Sequence, residues 1–391
     1  MRVITPLSAY GGHGLPEVRG LHLLEAYFDG TKYIGVDLGD LLSNPLPSGV
    51  SSSPGQTVAN VTSTPFTISP NFFGMHGHPV EFPDVTYGMR RTHDCGVNWA
   101  YLETARGVYS PTVLAKMDAI VADCHEHGRE IIYIVPTTAP FASRNQSASG
   151  DYDGPGSTWV PADWSDLTNH VTYILNRYGS KITAIEGWNE PNTPGYYSDT
   201  LENLVIHQQT IWDAVQAWNT ANSGSVKVVS ASLTAPSGIS GDGLNLDTFL
   251  TAGGGAYCDV IGYHHYMGSY PGGLYLERDL ITQVKAIMAS HGISAKELWI
   301  TEAGESHVSQ ATALHLARHL LFAAAAGVKR FCWYGYDTMG IVGPGLDMSL
   351  NQVSSRWNLA VGMLSGKTFG WVNKTNSLEL GALVDGVPTI V

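Results

Sequence analysis

The stretch Ile185-Glu186-Gly187-Trp188-Asn189-Glu190-Pro191-Asn192 passes from apolar residues into an amide, a carboxylate and a proline. Read as a strand stopped by Pro191, which has no N–H to continue a ladder, it leaves Asn189 and Glu190 at the strand's C-terminal end. A second stretch, Leu298-Trp299-Ile300-Thr301-Glu302-Ala303-Gly304, ends on a carboxylate in the same way. The two glutamates are 112 residues apart, room for three strand–helix units of ordinary size.

Working outward from these two stretches, short apolar runs alternate with helical ones from about residue 66. Strands are expected at Phe72–His76, Gly88–His93, Glu130–Val135, Ile182–Trp188, Lys227–Ser232, Asp259–Tyr266, Leu298–Glu302 and Phe331–Tyr336. Helices are expected at Pro111–His127, Asp163–Tyr178, Thr200–Thr220, Glu277–His291, Gln310–Ala326 and Asn351–Leu364. This alternation predicts parallel βαβ units, and eight of them predict an α/β fold, a (β/α)8 TIM barrel. The first and second strands are joined by too few residues for a full helix. Helix-to-strand connections are short, as at 127–129, 178–181 and 326–329. The strand-to-helix connections at 143–161, 267–276 and 338–350 are long, so the active face is expected at the C-terminal ends of the strands. Glu190 and Glu302, on the fourth and seventh strands, then face each other across one barrel mouth.

Before the barrel, candidate strands at Gly20–Tyr27 and Lys32–Asp37 flank the turn Phe28-Asp29-Gly30-Thr31 as in a hairpin, and the Ser-, Pro- and Gly-rich stretch 43–57 reads as a linker. The expected division is residues 1–60 as extension and linker, 61–370 as the catalytic barrel, and 371–391 as a short tail with β character.

Charged residues make up 14% of the chain, low against the roughly 25% of an average domain. The formal net charge is −13, which argues against nucleic acid as a partner because such binders need a basic footprint. Abundant Trp, Tyr, Asn and Gly suit recognition of neutral polar ligands by stacking and hydrogen bonding. No signal peptide and no membrane-spanning run is visible, and an extracellular, virion-associated or cell-surface location is the expectation. Cys95, Cys124, Cys258 and Cys332 are widely spaced and read as buried free thiols.

Two carboxylates across a cleft are what glycosidic cleavage needs: one protonates the leaving oxygen and the other attacks the anomeric carbon. With Asn189 directly before Glu190, and with Arg91-Thr92-His93-Asp94-Cys95-Gly96-Val97-Asn98-Trp99 at the second strand, residues 66–365 resemble the retaining glycoside hydrolases with catalytic Glu on barrel strands four and seven. They look most like glycoside hydrolase family 39 and its bacterial exopolysaccharide-degrading relatives. The resemblance implies Glu190 as acid/base, Glu302 as nucleophile, and Asn189 as the ligand of the sugar 2-hydroxyl. It implies a retaining mechanism, with the carboxylates about 5–5.5 Å apart. Xylosidases and iduronidases of the family carry a further β-rich module after the barrel, and the short stretch after Ser365 points away from exo-acting members of that type.

Arg91 and Tyr266 are expected to hold Glu302 ionised, while burial and a nearby anion are expected to raise the pKa of Glu190. Trp333 resembles the aromatic floor beneath the sugar, with a core position as the other reading. His264 shares its face with Tyr266 and is the expected sugar contact of the pair His264–His265. His76 and His78 are expected to bond sugar hydroxyls. They lack a third ligand at metal spacing, and neither a metal nor another cofactor is expected. Trp99 and Trp188 are open between cleft and core. His125 and His127 read as surface residues, and Glu103 and Glu186 as structural ion-pair partners.

The function expected is a retaining endo-glycosidase acting on a polysaccharide or oligosaccharide, a bacterial exopolysaccharide or capsule. The alternatives are an exo-acting β-xylosidase-like enzyme with a dead-end pocket and a carbohydrate-binding barrel without catalysis. Residues 1–60 could attach the barrel to a larger assembly, such as a phage tail or cell surface.

Overall fold

A computed structural model describes residues 24–28, 33–37, 59–62, 65–76, 85–149, 153–234, 243–267, 273–305, 313–334, 352–374, 380–384 and 387–390. The chain forms two compact units that divide between Ala59 and Asn60. In the first, Leu24–Phe28 and Tyr33–Asp37 pair antiparallel, with Leu24 opposite Asp37 and Phe28 opposite Tyr33. The turn between them and the expected linker at 43–57 lie outside the described residues.

The second unit contains a closed parallel barrel of eight strands. They are β1 (Phe73–His76), β2 (Met89–Arg91), β3 (Glu130–Ile134), β4 (Ala184–Glu186), β5 (Lys227–Val229), β6 (Val260–Met267), β7 (Glu297–Glu305) and β8 (Arg330–Trp333). Each pairs with its sequence neighbours, β8 returns to β1, and Val229 opposite Val260 joins β5 to β6. A short strand, Leu233–Thr234, adds beside β6. The eight barrel strands lie where the alternating apolar runs place them, while Leu233–Thr234 was not expected.

Strand alternation divides the barrel side chains into two sets. Met89, Ile132, Ala184, Val229, Val260, Trp299 and Cys332 form one fully buried cluster, a layer with one residue from each of seven strands. The eighth strand contributes Gly74, where an added Cβ would lie 2.7 Å from Met89 Cε and 3.0 Å from the Cys332 backbone. The layer is therefore too crowded for any side chain there. Two residues further along the strands stand His76, Arg91, Ile134, Glu186 and Gly262, so the apolar floor gives way to polar groups within one step of the alternation.

Among the described residues six longer helices surround the barrel: α1 (Pro111–Glu126), α2 (Trp164–Tyr178), α3 (Leu201–Asn222), α4 (Gly273–Ser290), α5 (Ala313–Ala325) and α6 (Gln352–Leu364). Their starts are set by capping. Ser110 Oγ accepts from Val113 N, Asp163 from Ser165 N and Thr200 from Asn203 N, each satisfying one of the orphan donors of a first turn. In α2, Leu167, Val171, Ile174 and Leu175 are buried, the stripe spacing of a helix packed on a sheet. Two local features go beyond the sequence expectation. A small hairpin, Glu103–Ala105 with Val108–Tyr109, precedes α1. A short helix, Leu246–Thr251, with a capping box at Asn245 and Thr248, lies between β5 and β6. Of the connection between β1 and β2, residues 77–84 lie outside the described residues.

Strands Ala59–Thr62, Phe66–Thr67, Thr368–Lys374, Leu380–Val384 and Val387–Ile390 form a separate five-stranded sheet. Phe66 and Phe369 stack with ring centroids 5.4 Å apart. The expected boundary at residue 370 thus falls inside a strand. All four cysteines are buried and free. No described helix is long and apolar enough to cross a membrane.

Candidate active site

Arg91, at the end of β2, is the hub beneath the barrel mouth. Its guanidinium is fully buried and donates in four directions: Nε and Nη2 to the two Glu186 oxygens (2.6 and 3.2 Å), Nη1 to Glu302 Oε2 (2.7 Å), and Nη2 also to Asn189 Oδ1 (2.8 Å). Burial works against its charge, but Glu186 and Glu302 outweigh that and raise its pKa, so the guanidinium stays charged. Glu186 is buried as well. Burial pushes its pKa up, yet Arg91 and the Ser232 hydroxyl at 2.5 Å bring it below the usual range. Glu186 is therefore the ion-pair partner that the sequence suggests. Arg91, expected to contact substrate, is instead sealed below the carboxylates and positions them.

Glu302 reaches the mouth because β7 is irregular. Trp299 points inward, so strict alternation would turn Thr301 inward and Glu302 outward. The register slips here: Tyr263 lies opposite Ile300, while His264 lies opposite Glu302. The extra residue is Thr301, whose hydroxyl donates to Ser232 Oγ at 3.0 Å inside the barrel. A bulge of this kind re-aims the following side chain, and Glu302 faces the cleft between Arg91 Nη1 and the hydroxyl of Tyr266, which donates to Glu302 Oε1. Burial and then the Glu302 charge push the Tyr266 pKa far up, so the phenol remains a donor.

Glu190 follows β4 by four residues. Asn189 bridges to Ser232, and Glu190 N donates to Ser232 O at 2.8 Å. Glu190 has φ 44°, a left-handed backbone that costs a non-glycine residue about 1–3 kcal/mol. Its carboxylate meets His264 Nδ1 at 2.8 Å and Thr193 Oγ1 at 3.3 Å. The other ring nitrogen of His264 lies 3.4 Å from Arg91 Nη2. Arginine can only donate, so a neutral His264 carries its proton on Nδ1 and donates it to Glu190. This corrects the expected raised pKa for Glu190. Burial does push it up, but the bond from His264 and the charges around it outweigh burial and bring it below the usual carboxylate value. The same arrangement orients Asn189: with Oδ1 taken by Arg91, its NH2 is the group left for a ligand.

The nearest ligand atoms of Glu190, His264 and Glu302 all lie within 4.8 Å of one another, as do those of His76, His93 and Glu302. Either trio could bracket a cation; His93 and Glu302 supply the third-ligand geometry that sequence spacing around His76 does not reveal. His76 is buried, with Nδ1 at 3.7 Å from Glu302 and Nε2 at 3.7 Å from Asp94. Desolvation holds the pKa of both His76 and His93 below the ordinary histidine value. His78 lies outside the described residues.

The cavity above the carboxylates measures about 290 Å³ and is lined by His93, Asn189, Glu190, Tyr196, Thr234, Tyr266, Glu302 and Tyr334. Two expected aromatic contacts are absent from it. Trp333 is 1% exposed and packs on Trp357 of α6 at 6.0 Å. Cys332 faces inward, so its neighbour Trp333 must face the helices, and Tyr334 is the residue that returns to the mouth. Trp99 is fully buried, donates to Glu103 Oε2 at 2.7 Å and stacks on His170 at 5.2 Å. Trp188 is also buried, against Tyr197 and His207. Sequence reasoning gave no role to His93, Tyr196, Thr234 or Tyr334. Of these, His93 and Tyr334 were within reach, since each lies two residues beyond an inward side chain.

A family model described as the glycosyl hydrolase catalytic core matches residues 142–356, more than half of the chain. No curated protein matches. Among solved structures, a family 39 glycoside hydrolase from Bacteroides cellulosilyticus WH2 is 20% identical, with a TM-score of 0.60 over 82% of this chain and 70% of that one. A GH39 enzyme from Xanthomonas axonopodis pv. citri is 15% identical, with a TM-score of 0.59 over 87% and 75%. A family 44 xyloglucanase from Paenibacillus polymyxa, with xyloglucan, is 13% identical, with a TM-score of 0.56 over 85% of each chain. At such identities the likeness carries the fold.

Proposed function

The chain belongs to the glycosyl hydrolase catalytic core family, and from that premise we propose that it is a retaining O-glycosidase that cuts within a polysaccharide by double displacement, with Glu302 as nucleophile and Glu190 as acid/base. The observation that supports this reading is that Glu190 and Glu302 line one cavity with their nearest oxygens within 4.8 Å. That close approach suits the short spacing of retaining pairs, about 5–5.5 Å between carboxyl groups, better than the spacing of about 6.5–9.5 Å with which inverting pairs seat a water.

Arg91 and Tyr266 direct two donors at Glu302, fixing the carboxylate as an acceptor ready to attack the anomeric carbon. Glu190 protonates the departing oxygen. As the bond to Glu302 forms, the nucleophile's charge is lost. Glu190 then takes a proton from water, which attacks the same carbon and frees Glu302. His264 steadies the ionised form of Glu190 that this second step uses. A sugar in the cavity displaces water from around Glu190 and so opposes that steadying, returning the carboxyl toward its protonated form. The Asn189 NH2, oriented by Arg91, suits a bond to the 2-hydroxyl oxygen beside the cut. Endo action is supported by the long strand-to-helix connections, which suit an open groove.

The test is a screen of bacterial and plant polysaccharides for new reducing ends, with Glu302→Gln as control. Release by the wild type and loss of about 10³-fold or more in the variant is expected, since the nucleophile itself is removed. Equal rates would overturn the assignment of Glu302. Release of monosaccharide alone from chain ends would favour the exo-acting alternative.

A further inference from the structure

The excess of acid in this chain is distributed by the topology. In a (β/α)8 barrel the strand-to-helix segments form the mouth, and the helix-to-strand segments form the opposite face. The segments that follow the eight strands, the β1–β2 connection included, contain two cations, Arg106 and Arg144. Arg106 is held by Asp166 at 2.5 Å and Arg144 by Asp199 at 3.3 Å. The same segments carry Asp94 and Asp153 among many other acids. The cations collect at the far end instead, at Arg129, Lys181, Lys227, Lys296, Lys329 and Arg330.

The cavity follows the same rule. Its lining has two carboxylates and, among the described residues, no Lys or Arg. Arg91 is the one guanidinium beneath it, and that group is buried and committed to Glu186, Glu302 and Asn189. Beside Glu302, Asp94 is one-third exposed and accepts from Tyr334 Oη at 2.9 Å. Between these two carboxylates sits His76, with a ring nitrogen 3.7 Å from each. Asp153 is half-buried, accepting from Thr137 Oγ1 at 2.5 Å and Asn98 Nδ2 at 3.0 Å, and its charge reaches His93 together with those of Asp94 and Glu302. A sugar carboxylate or sulfate would need an Arg or Lys to receive it, and would meet like charge on entering.

We infer that the mouth is a charge filter: the glycan it cuts carries no carboxylate, sulfate or phosphate on the sugars that span the cleavage point, and is neutral or bears free amino groups. This rests on the glycosidase reading above. Asp94 and Asp153 are the residues that set the filter closest to the cut.

Two measurements test it. The first is binding of alginate, a polyanion, and chitosan, a polycation, to wild type and to Asp153→Asn at low salt, with the unfolding midpoint of each protein as a check on the fold. Neutralising one half-buried carboxylate at the mouth is expected to strengthen alginate binding and weaken chitosan binding by about fivefold each, with the difference disappearing as salt screens it. Unchanged alginate binding in the variant, or tighter binding of alginate than of chitosan by the wild type, overturns the filter. The second is the chemistry of whatever polymer the wild type cuts and Glu302→Gln does not. A neutral or amino-bearing polymer is expected. A uronate-, sulfate- or phosphate-bearing polymer cut in this way overturns the filter while leaving the glycosidase reading intact. If no polymer is cut, the glycosidase reading fails, and the binding measurement still decides the filter.

Discussion

Replacing Arg91 with Met keeps most of the side-chain volume and removes the charge at the centre of the site. Glu186 is fully buried and Glu302 nearly so, and Arg91 bonds both. Removing one partner of a buried ion pair costs about 3–5 kcal/mol, because the remaining charge is left without compensation. The loss should depend on pH in a defined direction. In the wild type, Arg91 holds the Glu186 pKa below its ordinary value despite burial. That contribution is present above the ordinary glutamate pKa and fades as pH falls through the lowered one. In Arg91→Met the largest opposing charge is gone, burial outweighs the remaining Ser232 hydroxyl bond, and the Glu186 pKa is expected to rise above its unfolded value. The sign then reverses: stability is greatest below the ordinary value and declines as pH rises toward the raised one, by about 1.4 kcal/mol per pH unit across that window. Urea unfolding followed by tryptophan fluorescence at pH 5 and pH 7 is the assay. A loss near 3–5 kcal/mol at pH 7 that shrinks at pH 5 is expected. A loss below about 1 kcal/mol at pH 7, or the same loss at both values, would refute the account of Arg91 as the counter-charge of two buried carboxylates.

Three further outcomes follow from the same geometry. The lowered pKa of Glu190 means that its protonated form is lost at acidic pH in the free enzyme, so the basic limb of kcat/KM should lie below neutrality; His264→Ala removes the donor and should move that limb to higher pH, and a limb that stays in place would exclude His264 from this role. Trp333→Ala, by emptying a buried site against Trp357, should cost about 3–5 kcal/mol in unfolding experiments; a variant of normal stability with a raised KM would return Trp333 to the sugar site. At Gly262 an added Cβ would lie 2.5 Å from Ser232 Oγ and 2.7 Å from Val229 Cγ1, so Gly262→Ala should lower stability by about 1–3 kcal/mol, read from the unfolding midpoint, and a neutral effect would mean that the barrel floor is looser than this.

The fold was legible because its signals repeat. Eight apolar runs, the intervening helices with Ser110, Asp163 and Thr200 as caps, and glycine-bearing short connections all point to the same barrel. At the site, legibility followed the strand alternation. His264 shares its parity with Tyr266 and meets Glu190, but it is as fully buried as His265 and is not among the residues that line the cavity, where a sugar contact was expected. Trp333 was misread for want of the same check: Cys332 takes the inward position, leaving Trp333 outward and Tyr334 inward. Glu302 is the opposite case, since parity from Trp299 alone would turn it away, and only the bulge at Thr301 brings it back. A bulge is a property of two paired strands, so no local pattern announces it. Tyr196 and Thr234 come from loops whose position depends on the whole barrel, and Glu190's low pKa depends on a histidine 74 residues away. Part of the acid excess becomes readable once Asp94 and Asp153 are placed near the carboxylates of the barrel mouth.

The retaining assignment is tested most directly by the anomeric configuration of the first-formed product, followed by proton NMR before mutarotation on a polymer that the wild type cleaves. With the nearest oxygens of Glu190 and Glu302 within 4.8 Å of each other and Glu302 assigned as nucleophile, the new reducing end should appear first in the same configuration as the bond that was cut. Initial appearance of the opposite anomer would contradict Glu302 as a nucleophile.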